Sequence, residues 1–249
     1  MRDMARIIRS EWRKIRSIPT MWWLLMGTVL LSAVGAMGGL MVSDLSSREL
    51  NSGVGLQNAL HAVGAGSILA EIAAIIGMAG EFRFGQADQT FLSSPRRQRV
   101  VNAKVVTFLL VGLAFGIVSA AVTLGGSWLW LTIKGIGLPL QQQVIWSTLA
   151  GGVASAVLYA LFGIGVAAVL RNQVVAIVAV LAIQAGVETT VFQASSSVGR
   201  WLPGRAGEAL RQLPAEGLLS WQVGALVLTA WVVALLIAGT WRTLRRDIA

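Results

Sequence analysis

Residues 144–194 read VIWSTLAGGVASAVLYALFGIGVAAVL, then Arg171-Asn172-Gln173, then VVAIVAVLAIQAGVETTVFQA. Each apolar run exceeds the ~18 residues that mark a bilayer crossing. Neither run carries a polar face at helical spacing, so neither suits the surface of a soluble bundle. Three residues between them leave room only for a tight helical hairpin. The pair therefore predicts two adjacent transmembrane helices joined at one membrane face.

Four further stretches meet the same criterion, approximately Met21–Val42, Leu60–Gly80, Val105–Leu131 and Trp221–Trp241. With Val144–Leu170 and Val174–Ala194 they make six predicted spans. Composition agrees: 55% of the chain is hydrophobic and 12% charged, about half the charged share near 25% of soluble domains. The net charge of +9 does not indicate nucleic acid, because the basic residues sit in short segments between apolar runs rather than on one face. Cysteine is absent, which removes disulfides, thiolate nucleophiles and iron–sulfur ligation. The run from Met21 continues well beyond the 7–15 apolar residues of a signal peptide, and reads as an uncleaved first span.

Lys and Arg set the expected orientation. Segments 1–20, 81–104, 171–173 and 242–249 carry fifteen, against five in 43–59, 132–143 and 195–220. The positive-inside rule places both termini in the cytoplasm. Trp22, Trp23, Trp128, Trp130, Trp221 and Trp241 fall near span ends, where indoles anchor at the interface. Ahead of the first span, Met4, Ile7, Ile8, Trp12 and Ile15 form one helical stripe, with Arg6, Arg9, Arg13 and Lys14 elsewhere on the wheel. That pattern predicts an interfacial amphipathic helix in 1–20, ended by Pro19, before a single six-span domain in 21–249. In the last outer loop, Ala206, Ala209, Leu210 and Leu213 recur at helical spacing between Pro203-Gly204 and Pro214. A short helix on or dipping into the outer leaflet is expected there. Gly35-x-x-x-Gly39 and Gly112-x-x-x-Gly116 predict close helix packing, within the chain or with a second copy. The expected fold class is all-α and polytopic.

The inner loop between the second and third spans carries the clearest functional signal. It runs Glu81-Phe82-Arg83-Phe84-Gly85-Gln86-Ala87-Asp88-Gln89-Thr90-Phe91-Leu92-Ser93-Ser94-Pro95-Arg96-Arg97-Gln98-Arg99 and continues to Lys104. Physically this is polar chain, a short turn bearing Phe91 and Leu92, a Pro stop and a basic cluster. Those two apolar side chains suit either a partner's groove or the membrane surface, and the residues alone leave both open.

The segment resembles the cytoplasmic loop of type 2 ABC (ATP-binding cassette) transporter permeases. That family's pattern is Glu-aromatic-x-x-Gly-Thr, then Thr-Leu, Pro, Arg, and Ala-Lys entering the third span. The corresponding positions are Glu81, Phe82, Gly85, Thr90, Leu92, Pro95, Arg99, Ala103 and Lys104, with Gln86 where the family usually has Thr. The amphipathic N-terminus, six spans and Leu202-Pro203-Gly204 opening a helical outer loop are similar too. The resemblance implies the permease subunit of an ATP-driven exporter, in the plasma membrane of a bacterial cell. Two six-span halves, identical copies or close relatives, would form the pathway. The 81–104 loop, with Phe91 and Leu92 at its tip, would seat on a separate ATPase and couple it to alternating access. The chain has no Gly-x-x-x-x-Gly-Lys-Ser/Thr phosphate loop and only three lysines, so ATP hydrolysis is expected of the partner. No enzyme activity, cofactor or metal is expected of this chain.

Two acids stand inside spans, Glu71 in the second and Glu188 toward the outer end of the fifth. An ionised carboxylate at mid-bilayer costs about 2.5–3.5 kcal/mol on insertion scales, so both should face protein or water. Glu71 reads equally as a pathway or proton-carrying group and as a packing carboxyl; for Glu188 packing is favoured, at an end open to the outer face. The alternative functional reading is a proton-coupled secondary transporter using Glu71, and a third is a non-transporting membrane scaffold or immunity factor. His61, the sole histidine, has no partners for a metal site and reads as interfacial. Gly64-Ala65-Gly66-Ser67 resembles a protease serine turn only superficially, since no histidine follows to serve as base.

Overall fold

The structure, a computed structural model, describes residues 2–42, 53–83 and 97–245. Every regular element among them is helical. In order they are α1 (Arg2–Ser17), α2 (Pro19–Val42), α3 (Gly53–Ala59), a 3-10 turn (His61–Gly64), α4 (Ala65–Arg83), α5 (Arg97–Ile133), α6 (Gln143–Leu170) and α7 (Gln173–Ala182). A π turn (Ile183–Val187), α8 (Glu188–Ala194), α9 (Ser196–Gly199), α10 (Pro203–Leu210) and α11 (Trp221–Arg245) complete them. Six stretches are long and apolar enough to cross a membrane: Pro19–Met41, His61–Gly80, Ala103–Ile133, Gln143–Leu170, Gln173–Ala194 and Trp221–Arg242. The fold is all-α and polytopic, with its spans within a few residues of the predicted ones.

Local sequence accounts for the joints. Pro19 starts α2, a position where its missing N–H costs nothing, and α1 ends at Ser17. Trp12, Ile15 and Ile18 pack against the core that contains Met21, so the apolar stripe of α1 is partly covered by protein. Its support is α5, whose 37 residues span about 55 Å at 1.5 Å per residue, well beyond a hydrocarbon core of about 30 Å. The three-residue hairpin works through two backbone devices. Arg171 takes the left-handed conformation (φ 56°) to end α6, and the Asn172 side chain then accepts from Val175 N–H at 3.1 Å to cap α7. Arg171 and Arg242 each donate to a carbonyl on the other's helix, tying the ends of α6 and α11.

The second and fourth spans form the centre: over an 18-residue stretch of each, 67% and 61% of residues are buried within the chain, against 17% to 39% for the other four. Small residues permit that packing. A Cβ at Gly112 would lie 2.8 Å from the Ala156 carbonyl oxygen, and one at Gly116 would lie 2.9 Å from Val153 Cα. The Gly112-x-x-x-Gly116 face is therefore occupied by α6 of the same chain.

The second span departs from expectation by beginning as a broken helix. A break inside a bilayer exposes backbone groups that lipid cannot satisfy, so protein must supply partners. Serines of α5 do so. Ser127 donates to the Ala59 carbonyl (3.0 Å), and Ser119 donates to the Val63 carbonyl (3.0 Å) while accepting from Gly66 N–H (3.2 Å). Ser32 on α2 pairs with Ser119 at 2.8 Å, and Ser67 on α4 pairs with Ser155 on α6 at 2.7 Å.

Candidate functional site

Glu71 stands two turns into α4 and is buried (1% exposed) at the centre of the bundle. The amide nitrogen of Gln184 donates to both of its carboxyl oxygens at 3.1 Å. Gln184 reaches Glu71 from the π turn, where the Glu188 N–H bonds to the Ile183 carbonyl five residues back. Such a turn inserts an extra residue into a helix, and π turns are frequent at functional sites.

The same turn delivers Glu188. It is fully buried, and its Oε2 accepts from Gly204 N–H (2.6 Å) in the first turn of α10. Pro203 occupies the first helical position, so Glu188 satisfies an N–H that α10 itself cannot. The expectation that this end of the span opens to the outer face is corrected: α10 covers it. The Tyr159 hydroxyl on α6 donates to the Pro203 carbonyl at 2.9 Å. Trp231 on α11 donates to the Trp201 carbonyl at 3.0 Å. Three spans thus hold the start of α10. The helix buries Ala206, Ala209 and Leu210 as their spacing predicts, but ends at Leu210, short of Leu213, with Gln212 in the left-handed region (φ 56°). It packs on α11 and α6 and so belongs to the protein core more than to the leaflet surface.

Below α10 lies a cavity of about 170 Å3, bounded by α4, α6, α7 with the π turn, and α10. Ser67, Glu71, Tyr159 and Gln184 supply its polar wall, and Ile68, Leu181 and Ala185 its apolar one. Arg205, Glu208 and Arg211 line the α10 side. Arg205 is held by Glu208 (2.6 Å), by Thr189 Oγ1 (2.9 Å) and by the Phe192 ring, 4.9 Å from its centroid. Arg211 forms no ion pair among the described residues; its guanidinium lies against Gly64, where any side chain would displace it, and its Nε is buried without a hydrogen-bond partner. The arrangement can bind a small charged or dipolar group. The Ser67 hydroxyl is paired with Ser155, and His61 is exposed on the 3-10 turn. Among the described residues no group of three or more acids or histidines stands together for a metal.

The candidate coupling residues fall elsewhere. Glu81 and Phe82 belong to the last turn of α4 and Arg99 to the first turn of α5. Gly85, Thr90, Phe91, Leu92 and Pro95 lie outside the described residues. Glu71 and Glu188 both attach to the same π turn, one through Gln184 and one directly. Gln184, Tyr159 and Arg211 are functional candidates that reading by motif misses. Two of them had signals: Gln184 is the lone polar residue in 174–187, and Tyr159 is the chain's single tyrosine. Compared with known protein families and with curated proteins, the chain has no match.

Proposed function

We propose that this chain is the transmembrane permease subunit of an ATP-driven exporter, working with a separate ATPase and a second six-span half. The observation that carries the reading is the resemblance of the 81–104 loop to the coupling loop of type 2 ABC permeases. Three features of the fold support it: an N-terminal helix seated on a long third span, six spans, and an outer-loop helix that starts at Pro203. In this reading both termini and the 81–104 loop are cytoplasmic. ATP-driven closure of the ATPases pushes on the loop, and the helices switch between inward- and outward-open arrangements. Nucleotide biases that two-state equilibrium only through its different contacts with the two states.

Replacing Phe91 and Leu92 together with Asp is expected to abolish co-purification of the ATPase while membrane insertion stays normal. Undiminished co-purification of that variant overturns the docking assignment. A second reading draws on one specific observation, the buried Glu71 at a cavity wall with Gln184 as its partner. A proton-coupled transporter using Glu71 predicts transport by this polypeptide alone, abolished by protonophore and indifferent to ATP. Transport that persists in Glu71→Gln without a proton gradient removes it.

A further inference from the structure

The charges that line the cavity do not balance pairwise within the protein. Among the described residues four acidic or basic side chains reach it: Glu71, Arg205, Glu208 and Arg211. Arg205 and Glu208 neutralise one another at 2.6 Å. One acid and one base are left, Glu71 on the α4 wall and Arg211 on the α10 side. Gln184 is an uncharged partner for Glu71 and uses only part of the carboxylate's roughly four acceptor positions. Arg211 keeps an orphaned buried Nε. An acid and a base that are not ion-paired beside one cavity complement a ligand carrying both opposite charges, which would be held at two points.

The apolar wall gives the rest of the ligand's shape. Ile68 and Leu181 line the cavity yet are 45% and 41% exposed, on the outer surface of the bundle. About 170 Å3 holds the equivalent of five or six waters at about 30 Å3 each, the size of a polar head but not of an acyl chain. A chain attached to that head can leave between Ile68 and Leu181 into the bilayer.

From the unpaired Glu71 and Arg211 across a cavity that opens beside Ile68 and Leu181, we propose that this site binds the head of a zwitterionic amphiphile. Its ammonium meets Glu71, its anionic oxygen meets Arg211, and its tail lies in lipid. Calling that ligand the cargo rests on the exporter reading; the binding itself does not.

The test uses the purified full chain in nanodiscs of phosphatidylglycerol, whose head carries no ammonium, without ATPase, and a lysophospholipid with a phosphoethanolamine head and a fluorescent acyl chain. Anisotropy should report binding about tenfold tighter than for the N-acetylated head, which lacks the ammonium, because hydrogen bonds to a charged group are the strong ones. Glu71→Gln should bind the two probes equally. Arg211→Gln should lose its preference for the phosphoethanolamine head over a plain alkylamine of the same chain length. Equal binding of both heads by the unaltered chain, a measurement that needs no variant, overturns the proposal. So does a preference for the ammonium that survives in Glu71→Gln. Competition by free phosphoethanolamine as effective as by the acylated probe overturns the amphiphile assignment and leaves a soluble zwitterion. Failure of these binding measurements while an ATPase still co-purifies from the native membrane refutes the site alone; binding by a chain that recovers no ATPase from its native membrane refutes the exporter reading alone.

Discussion

Ser119→Ala tests whether the broken start of the second span is held in the way described above. The hydroxyl is saturated: it donates to the Val63 carbonyl and accepts from Ser32 and from Gly66 N–H. The two helices are in close contact there, since a Cβ at Gly66 would lie 2.7 Å from Ser119 Cβ and 2.9 Å from the Phe115 carbonyl. Interhelical hydrogen bonds in membrane proteins average about 0.6 kcal/mol, with a maximum of about 1.7. Three such bonds give a loss of about 2 kcal/mol, and of about 5 at most. Ser127→Ala removes one bond, to the Ala59 carbonyl, and should cost about 0.6 kcal/mol. Ser32→Ala also removes one and should couple to Ser119→Ala, because the two hydroxyls share a bond. Reversible unfolding in mixed micelles of rising dodecyl sulfate content, followed by far-ultraviolet circular dichroism, measures the three single variants and the Ser32→Ala/Ser119→Ala double variant. A Ser119→Ala loss no larger than that of Ser127→Ala would refute the claim that Ser119 supports the break.

Other consequences are as direct. Tyr159→Phe removes the donor to the Pro203 carbonyl, and Glu188→Ala leaves the Gly204 N–H unpaired, a capping loss of about 0.5–2 kcal/mol. Since the chain has no native cysteine, Leu210→Cys provides a single reporter, which an impermeant maleimide should label faster in both backgrounds than in the parent. Glu188→Gln keeps an acceptor and should stay near the parent rate. Gly163→Ala drives a methyl to 2.6 Å from the Glu71 carbonyl, a backbone atom that cannot step aside, and should cost about 1–3 kcal/mol. Gly125→Ala, with nothing within 4 Å, should instead stabilise by about 0.5–1 kcal/mol as an ordinary helical Gly-to-Ala exchange. The same micelle titration separates the two.

Hydropathy made the spans legible because lipid demands long apolar helices whatever their neighbours. Pro19 and the Arg171-Asn172-Gln173 joint were legible for the same local reason, as stop and hairpin signals. The α10 helix was visible as a periodicity, but its place was not. That Glu188, sixteen residues upstream, accepts from Gly204 is a tertiary fact that no spacing rule encodes. The break before Ala65 was equally hidden, since Gly64-Ala65-Gly66-Ser67 is common helical composition in membranes. What permits it is Ser119 and Ser127, more than fifty residues away. Gln184 illustrates a limit of reading by charge alone. An uncharged amide at mid-span is the partner of Glu71, and only the π turn aims it there. The candidate coupling loop stands the other way round: Leu92 stands out by resemblance and Phe91 as an apolar side chain in a polar segment, and both lie outside the described residues.

The most direct measurement is affinity purification of the tagged chain from its native membrane in mild detergent, with mass spectrometry of what accompanies it. A stoichiometric ATP-binding cassette ATPase is expected, with a second copy of this chain or a close relative. Repeated recovery of the chain without any ATPase, under conditions that preserve such complexes, would contradict the exporter reading.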